Sequence, residues 1–212
     1  MKNWSLKVGK FAGIGVFIHW TFWIIIGWIF LMHFQVGHGL EQGVWGVLFI
    51  LALFLCVVLH EFGHALTARR FGITTRDITL YPIGGIASLE KMPDKPGQEL
   101  LVALAGPAVN IVIAAILWIY LNASGQIPDV SAMTASHSML EIPFLWGLFA
   151  ANIVLAVFNL IPAFPMDGGR ALRAILAFSL NRTKATQIAA GVGQFLAIMF
   201  VFLGFFYNFW LV

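Results

Sequence analysis

Charge is what this sequence has least of. Asp, Glu, Lys and Arg make up 10% of its 212 residues, while 60% are hydrophobic. A soluble domain usually carries about 25% charged residues, so this supply cannot clothe a water-exposed surface, and a soluble globular protein is excluded. Cysteine is nearly absent too: Cys56 stands alone, and no internal disulfide can form. No small-residue cleavage pattern follows the first apolar run, so the N-terminus does not read as a removable signal. The sequence also lacks internal repeats, low-complexity tracts and any stretch that reads as a soluble domain.

Positive charge is missing from two polar stretches, 32–43 and 122–141; all twelve Lys and Arg fall at 2–10, 69–95 and 170–184. Each basic cluster flanks an apolar run, which argues against nucleic acid as a partner. Cytoplasmic flanks of membrane spans carry the excess of Lys and Arg. The asymmetry therefore predicts a multi-pass protein of the cell membrane with a cytoplasmic N-terminus.

What the chain has in quantity is apolar length. Runs at 19–31, 44–68, 99–121, 143–161 and 186–208 predict five spans of alternating direction. The longer ones reach the ~20 residues that cross ~30 Å of hydrocarbon. Residues 209–212 read as the threshold of a sixth span, cut short. The expected fold is membrane all-α: five transmembrane helices, or a truncated six, in a single polytopic domain over 1–212. A short strand within 5–19 would precede them at the cytoplasmic surface. His33, His38 and His137 fall in the two external loops and read as solvated. Between the second and third spans, the β-prone runs 78–82 and 86–90 surround Gly84 and Gly85, predicting a tight membrane-associated hairpin. Pro82 would demote its first run to an edge strand. The segment is either a plain cytoplasmic loop or a hairpin dipping toward the centre of the molecule with a free edge for an extended peptide.

That centre lies at the end of the second span, in His60-Glu61-Phe62-Gly63-His64, after a run from 42 to 59 with no charge. On a helix His60 and His64 share a face about 6 Å apart and can hold one metal ion, with Glu61 near enough to act on a water beside it. Counting back from Arg69 puts His60 about 13 Å inside the basic cluster. Histidines at such depth are costly without a function. Cys56 lies one turn before His60, too far from His64 to share an ion, and reads as packing.

A third arm is harder to place. Asp167 follows the fourth apolar run and is either the N-cap of a helix over 168–180 or the remaining metal ligand. Topology supports the second, because both sites lie toward the cytoplasmic ends of inward-running spans. Asp77 is the competitor, but it sits among Thr and Arg beyond the membrane edge; Glu90 and Glu99 read as solvated. Asn110 would either polarise a site or bond across helices.

With HEFGH on an apolar helix and NLIPAFPMDGGR closing a later one, the chain resembles the site-2 proteases, zinc metalloproteases that cut substrates within the membrane. Similar also are His19-Trp20-Thr21-Phe22, Pro82 through Ala87, and Ala105-Gly106-Pro107-Ala108-Val109-Asn110. The resemblance implies one Zn²⁺ per chain, held by His60, His64 and Asp167, with Glu61 as general base. It also implies that Asn159 helps bind the substrate or its developing oxyanion. Gly84, Gly85, Ile86, Ala87 and Ser88 would grip an unwound single-span membrane-protein substrate, so the expected activity is regulated intramembrane proteolysis. The PDZ and cystathionine-β-synthase-type domains that many members carry are not seen within these residues, which corresponds to the simple form. Two other readings compete. A metal transporter needs successive sites along its spans, where one cluster is found, and an inactive scaffold of the same fold would not need Glu61.

Overall fold

In lipid an uncharged stretch of this length must satisfy its backbone internally, and a helix does so residue by residue. The structure, a computed structural model, describes residues 4–35, 39–82, 84–91, 93–126 and 143–207. His38, His137 and residues 209–212 therefore lie outside the described residues. Two strands open the chain, β1 (Ser5–Phe11) and β2 (Ile14–His19), followed by α1 (Phe22–His33) and α2 (Gly39–Arg70). Then come β3 (Thr75–Tyr81), β4 (Gly84–Leu89) and the long α3 (Pro96–Ala123). The remaining helices are α4 (Phe144–Asn159), α5 (Asp167–Leu176) and α6 (Arg182–Tyr207).

Three helices among the described residues, α2, α3 and α6, are long and apolar enough to cross a membrane. The other two expected spans are shorter apolar helices: α1 has 12 residues and α4 has 16. At 1.5 Å per residue these reach about 18 and 24 Å. His33, expected in a loop, is the last residue of α1.

The N-terminal segment is a hairpin, not a single strand. Ala12 (φ 48°) and Gly13 (φ 84°) make its two-residue turn, both in the left-handed region that twist-matched hairpin turns require. Arg69, at the end of α2, donates to the Ala12 carbonyl (2.6 Å) and fixes that turn to the helix. Strands β2 and β3 pair in parallel, with α1 and α2 as the crossover, and β3 and β4 pair antiparallel. The sheet order is β1-β2-β3-β4. The expectation that Pro82 makes its strand an edge is thus overturned. β3 is interior, because Pro82 falls just beyond it in the turn, where its missing N–H costs no ladder bond. Gly84 and Gly85 belong to β4, which with β1 forms the edges of the sheet. The sheet lies along α2, with Ile14 and Ile78 against Ala65.

Side-chain size is distributed inside out. Ala65, Ala68, Ala103, Ala114, Ala174, Ala185 and Ala189 are buried, while Trp28, Ile119 and Phe205 are exposed. Helices in lipid gain nothing by hiding large apolar groups from it, and small residues let their backbones approach. Gly63 is where α2 meets α3: a Cβ there would lie 2.7 Å from the Ala105 carbonyl oxygen.

A candidate metal centre between α2, α3 and α5

α2 delivers two arms of the centre. His60 and His64, one turn apart and both buried, bring their Nε2 atoms to 3.1 Å. α5 delivers the third from its first residue. The Oδ2 of Asp167 lies 3.2 Å from Nε2 of His60 and 3.0 Å from Nε2 of His64. Asp167 can stand there because the chain folds tightly back after α4. Gly168 and Gly169 have backbone where a side chain would be; a Cβ on Gly169 would sit 2.7 Å from the carbonyl carbon of Ala163. The expected N-cap role falls to Met166 instead, and the helix ends at Leu176, short of the 168–180 expected.

The imidazoles are oriented by their other nitrogens. Nδ1 of His64 donates to the Val102 carbonyl at 2.7 Å, and Nδ1 of His60 donates to Oδ1 of Asn110 at 2.6 Å. With both protons spent outward, each Nε2 presents a lone pair. In the neutral imidazoles two lone pairs and a carboxylate oxygen then converge, a donor set suited to a cation at its middle. Zn–N bonds of about 2.0–2.1 Å in a tetrahedral site set neighbouring ligand atoms about 3.3 Å apart. The observed separations of 3.0–3.2 Å match, so the residues fit zinc. Among the described residues these three form the one His/Cys/Asp/Glu group close enough to hold a metal ion. Gly106 of α3 leaves the space for it, since a Cβ there would lie 2.6 Å from Nε2 of His60.

A cleft of about 450 Å³ opens over the three ligands. Glu61 lines it, and β4 lies directly against this side chain: a Cβ on Gly85 would come within 2.9 Å of its Cγ. Gly84, Gly85, Ile86 and Ala87 form one wall, and Ser88, grouped with them in the sequence, is not on it. Asn159, at the end of α4, forms part of another wall and donates to the Leu155 carbonyl at 3.0 Å. Arg170, one turn beyond Asp167 and 3.8 Å from its Oδ1, also faces the cleft.

Several sequence expectations need correction. Asp77, the competing acid, lies in the β-ladder opposite Gly15, away from the cluster. Glu99 is not solvated but buried, ion-paired with Arg173 and, at 3.8 Å, with Arg182. Glu90 is exposed as expected, yet it accepts from Thr74 and Arg76, and these bonds hold its carboxyl below the usual range. Cys56 does more than pack, for it accepts from Nδ2 of Asn152 at 3.4 Å. Asn152 itself carried no role in the sequence reading, although a polar residue inside an apolar span is the signal that could have flagged it.

A metal-ligand group shared by a membrane-length helix and the short helix α5, beside a small mixed sheet, defines a candidate metal centre in a membrane-protein fold. The family model for Peptidase family M50 matches residues 48–140 and 122–203. A zinc metalloprotease of Methanocaldococcus jannaschii is 40% identical over 204 residues, 95% of this chain and 54% of that protein. Stage IV sporulation protein FB of Bacillus subtilis is 29% identical over 140 residues, 66% of this chain and 44% of its own. The solved site-2 protease from Methanocaldococcus jannaschii superposes with a TM-score of 0.66 at 35% identity, covering 98% of this chain and 88% of that one. The chain belongs to Peptidase family M50 and has the site-2 protease fold, with His60, His64 and Asp167 placed where they could hold a metal ion. It spans about half the length of the curated relatives it matches.

Proposed function

We propose that this chain is an intramembrane zinc endopeptidase that cuts a transmembrane segment of a single-span membrane protein, as in regulated intramembrane proteolysis. The observation that carries this reading is the shared cleft: the three candidate ligands, Glu61 and an edge strand face one volume. In it His60, His64 and Asp167 hold the metal. Bound zinc supplies a Lewis acid that lowers the pKa of a water toward ~7. Glu61 accepts the proton of the attacking water as the new C–O bond forms, then returns it to the leaving amine as the C–N bond breaks. Asn159 stabilises the charge developing on the carbonyl oxygen. A substrate helix hides its carbonyls in its own hydrogen bonds, and unpaired backbone groups in lipid cost several kcal/mol each. The outer edge of β4 along the cleft, from Gly84 to Ala87, gives the unwound segment new partners.

The lipid bilayer is the working solvent, crossed by α2, α3 and α6, with the shorter apolar helices α1 and α4 belonging to the other two of five spans. The basic clusters support a cell-membrane protein with its N-terminus and site toward the cytoplasm. A metal path would require further ligand clusters, and the described residues contain one. The test is Glu61→Gln, expected to keep zinc at parental stoichiometry and to leave a transmembrane reporter uncut in detergent. Cleavage at the parental rate would reject Glu61 as the base. His60→Ala and Asp167→Ala should lower bound zinc, and full occupancy in either would strike that residue from the ligand set.

A further inference from the structure

Both histidines owe their tautomer to a backbone carbonyl, but by routes of different length. His64 reaches its carbonyl directly, at Val102. His60 reaches one through two asparagines on two other helices. Asn152 of α4 donates to the Leu148 carbonyl at 2.8 Å and to the sulfur of Cys56 at 3.4 Å. Its Oδ1 accepts from Nδ2 of Asn110 at 2.8 Å, and Oδ1 of Asn110 accepts from His60 at 2.6 Å. Both asparagines have 0% relative exposure, so each depends on these protein partners.

The direction of this relay is not free. A backbone carbonyl only accepts, so Asn152 must turn its NH₂ toward Leu148 and its oxygen toward Asn110. That oxygen requires the NH₂ of Asn110, which leaves the oxygen of Asn110 for His60. The imidazole must then carry its proton on Nδ1 and keep the Nε2 lone pair for the metal. Reversing either amide would oppose two acceptors or two donors in a buried site, a costly desolvation.

We infer that Asn152 and Asn110 are positioning residues that fix His60 in its metal-binding tautomer, the signal starting at the Leu148 carbonyl and crossing three helices. This rests on the zinc-ligand reading above. Leucine is nearly isosteric with asparagine, so Asn110→Leu and Asn152→Leu keep the packing and delete the polarity. The experiment measures zinc dissociation constants by chelator competition for the parent, both variants, the double variant and His60→Ala. Second-shell losses typically weaken metal binding 10–100-fold. Asn110→Leu should fall in that range, and Asn152→Leu should lose a smaller but measurable part. In the Asn110→Leu background the effect of Asn152→Leu should vanish, because its route to His60 is already cut. An unchanged constant for Asn152→Leu, or losses that simply add, would overturn the relay. Unchanged zinc binding in His60→Ala would instead reject the ligand reading beneath it. Should the leucine variants not fold, ¹⁵N NMR of ring-labelled histidine in the zinc-loaded parent decides: a protonated, hydrogen-bonded Nδ1 on His60 supports the relay, and a metallated Nδ1 refutes it.

Discussion

Gly106 has no room for a side chain, because its missing Cβ is the space into which both imidazoles lean. Gly106→Ala would push His60 and His64 apart or off their rotamers. The expected outcome is loss of most bound zinc with helix content unchanged, read by metal stoichiometry and circular dichroism. Asn159 tests a different function at the same scale. Its amide donates to the Leu155 carbonyl within its own helix. If it stabilises the oxyanion, Asn159→Ala should lower kcat about 10²–10³-fold, the usual cost of one such donor, at unchanged zinc content. A variant that binds less zinc but keeps its kcat per metal would assign Asn159 a structural role instead.

Among the elements, α5 depends on a contact well away from the ion. Arg173 on α5 donates to the buried Glu99 of α3, and its guanidinium lies 5.6 Å from the ring centroid of Phe164, in the loop before Asp167. One side chain thus ties the helix that presents Asp167 to the helix that orients both histidines. Breaking a buried pair from one side costs up to about 3–5 kcal/mol, and here Arg182, 3.8 Å from Glu99, offsets part of it. Arg173→Met should therefore lower the unfolding midpoint in a detergent titration, while Glu99→Met with Arg173→Met recovers part of the loss. The β3–β4 hairpin carries a pH dependence at its far end. The hydrogen bonds from Thr74 and then Arg76 hold the Glu90 carboxyl below its ordinary value. A depressed folded-state pKa stabilises above the unfolded value near 4.3 and is lost as pH falls through the folded one. Protection of the Glu90 amide, bonded to the Thr74 carbonyl at 3.1 Å, should therefore decline in that acid range. Glu90→Gln should abolish the pH dependence, and a persisting decline would point to another group.

At the scale of the molecule, large apolar groups face outward and alanines inward, so lipid is the solvent this surface is built for. The orientation proposed from the basic clusters can be tested directly. In a Cys56→Ala background, Lys7→Cys should react with an impermeant thiol reagent from the cytoplasmic side and Ser124→Cys from the opposite side. Labelling of both from one side would reverse or cancel the proposed topology. Zinc removal should separate fold from activity. The helices are closed by their own hydrogen bonds, so chelation should stop cleavage and lower the melting temperature while far-ultraviolet dichroism persists. Stabilisation by the ion follows its free concentration over its dissociation constant.

The long apolar runs, HEFGH and the basic clusters were legible because each is a local pattern: span length, helical spacing and charge asymmetry need no partner to be read. Asp167 could be named as a candidate from its isolation after an apolar run. What local pattern could not supply was pairing. That β3 is interior, that Glu99 is buried against Arg173, and that Asn152 reaches His60 through Asn110 all depend on residues tens of positions apart in sequence. The sequence by itself determined which chemical groups could bind a metal in lipid. Only the tertiary structure decided which of them meet, because lone-pair direction, amide direction and the absence of a Cβ act through distances of a few ångströms.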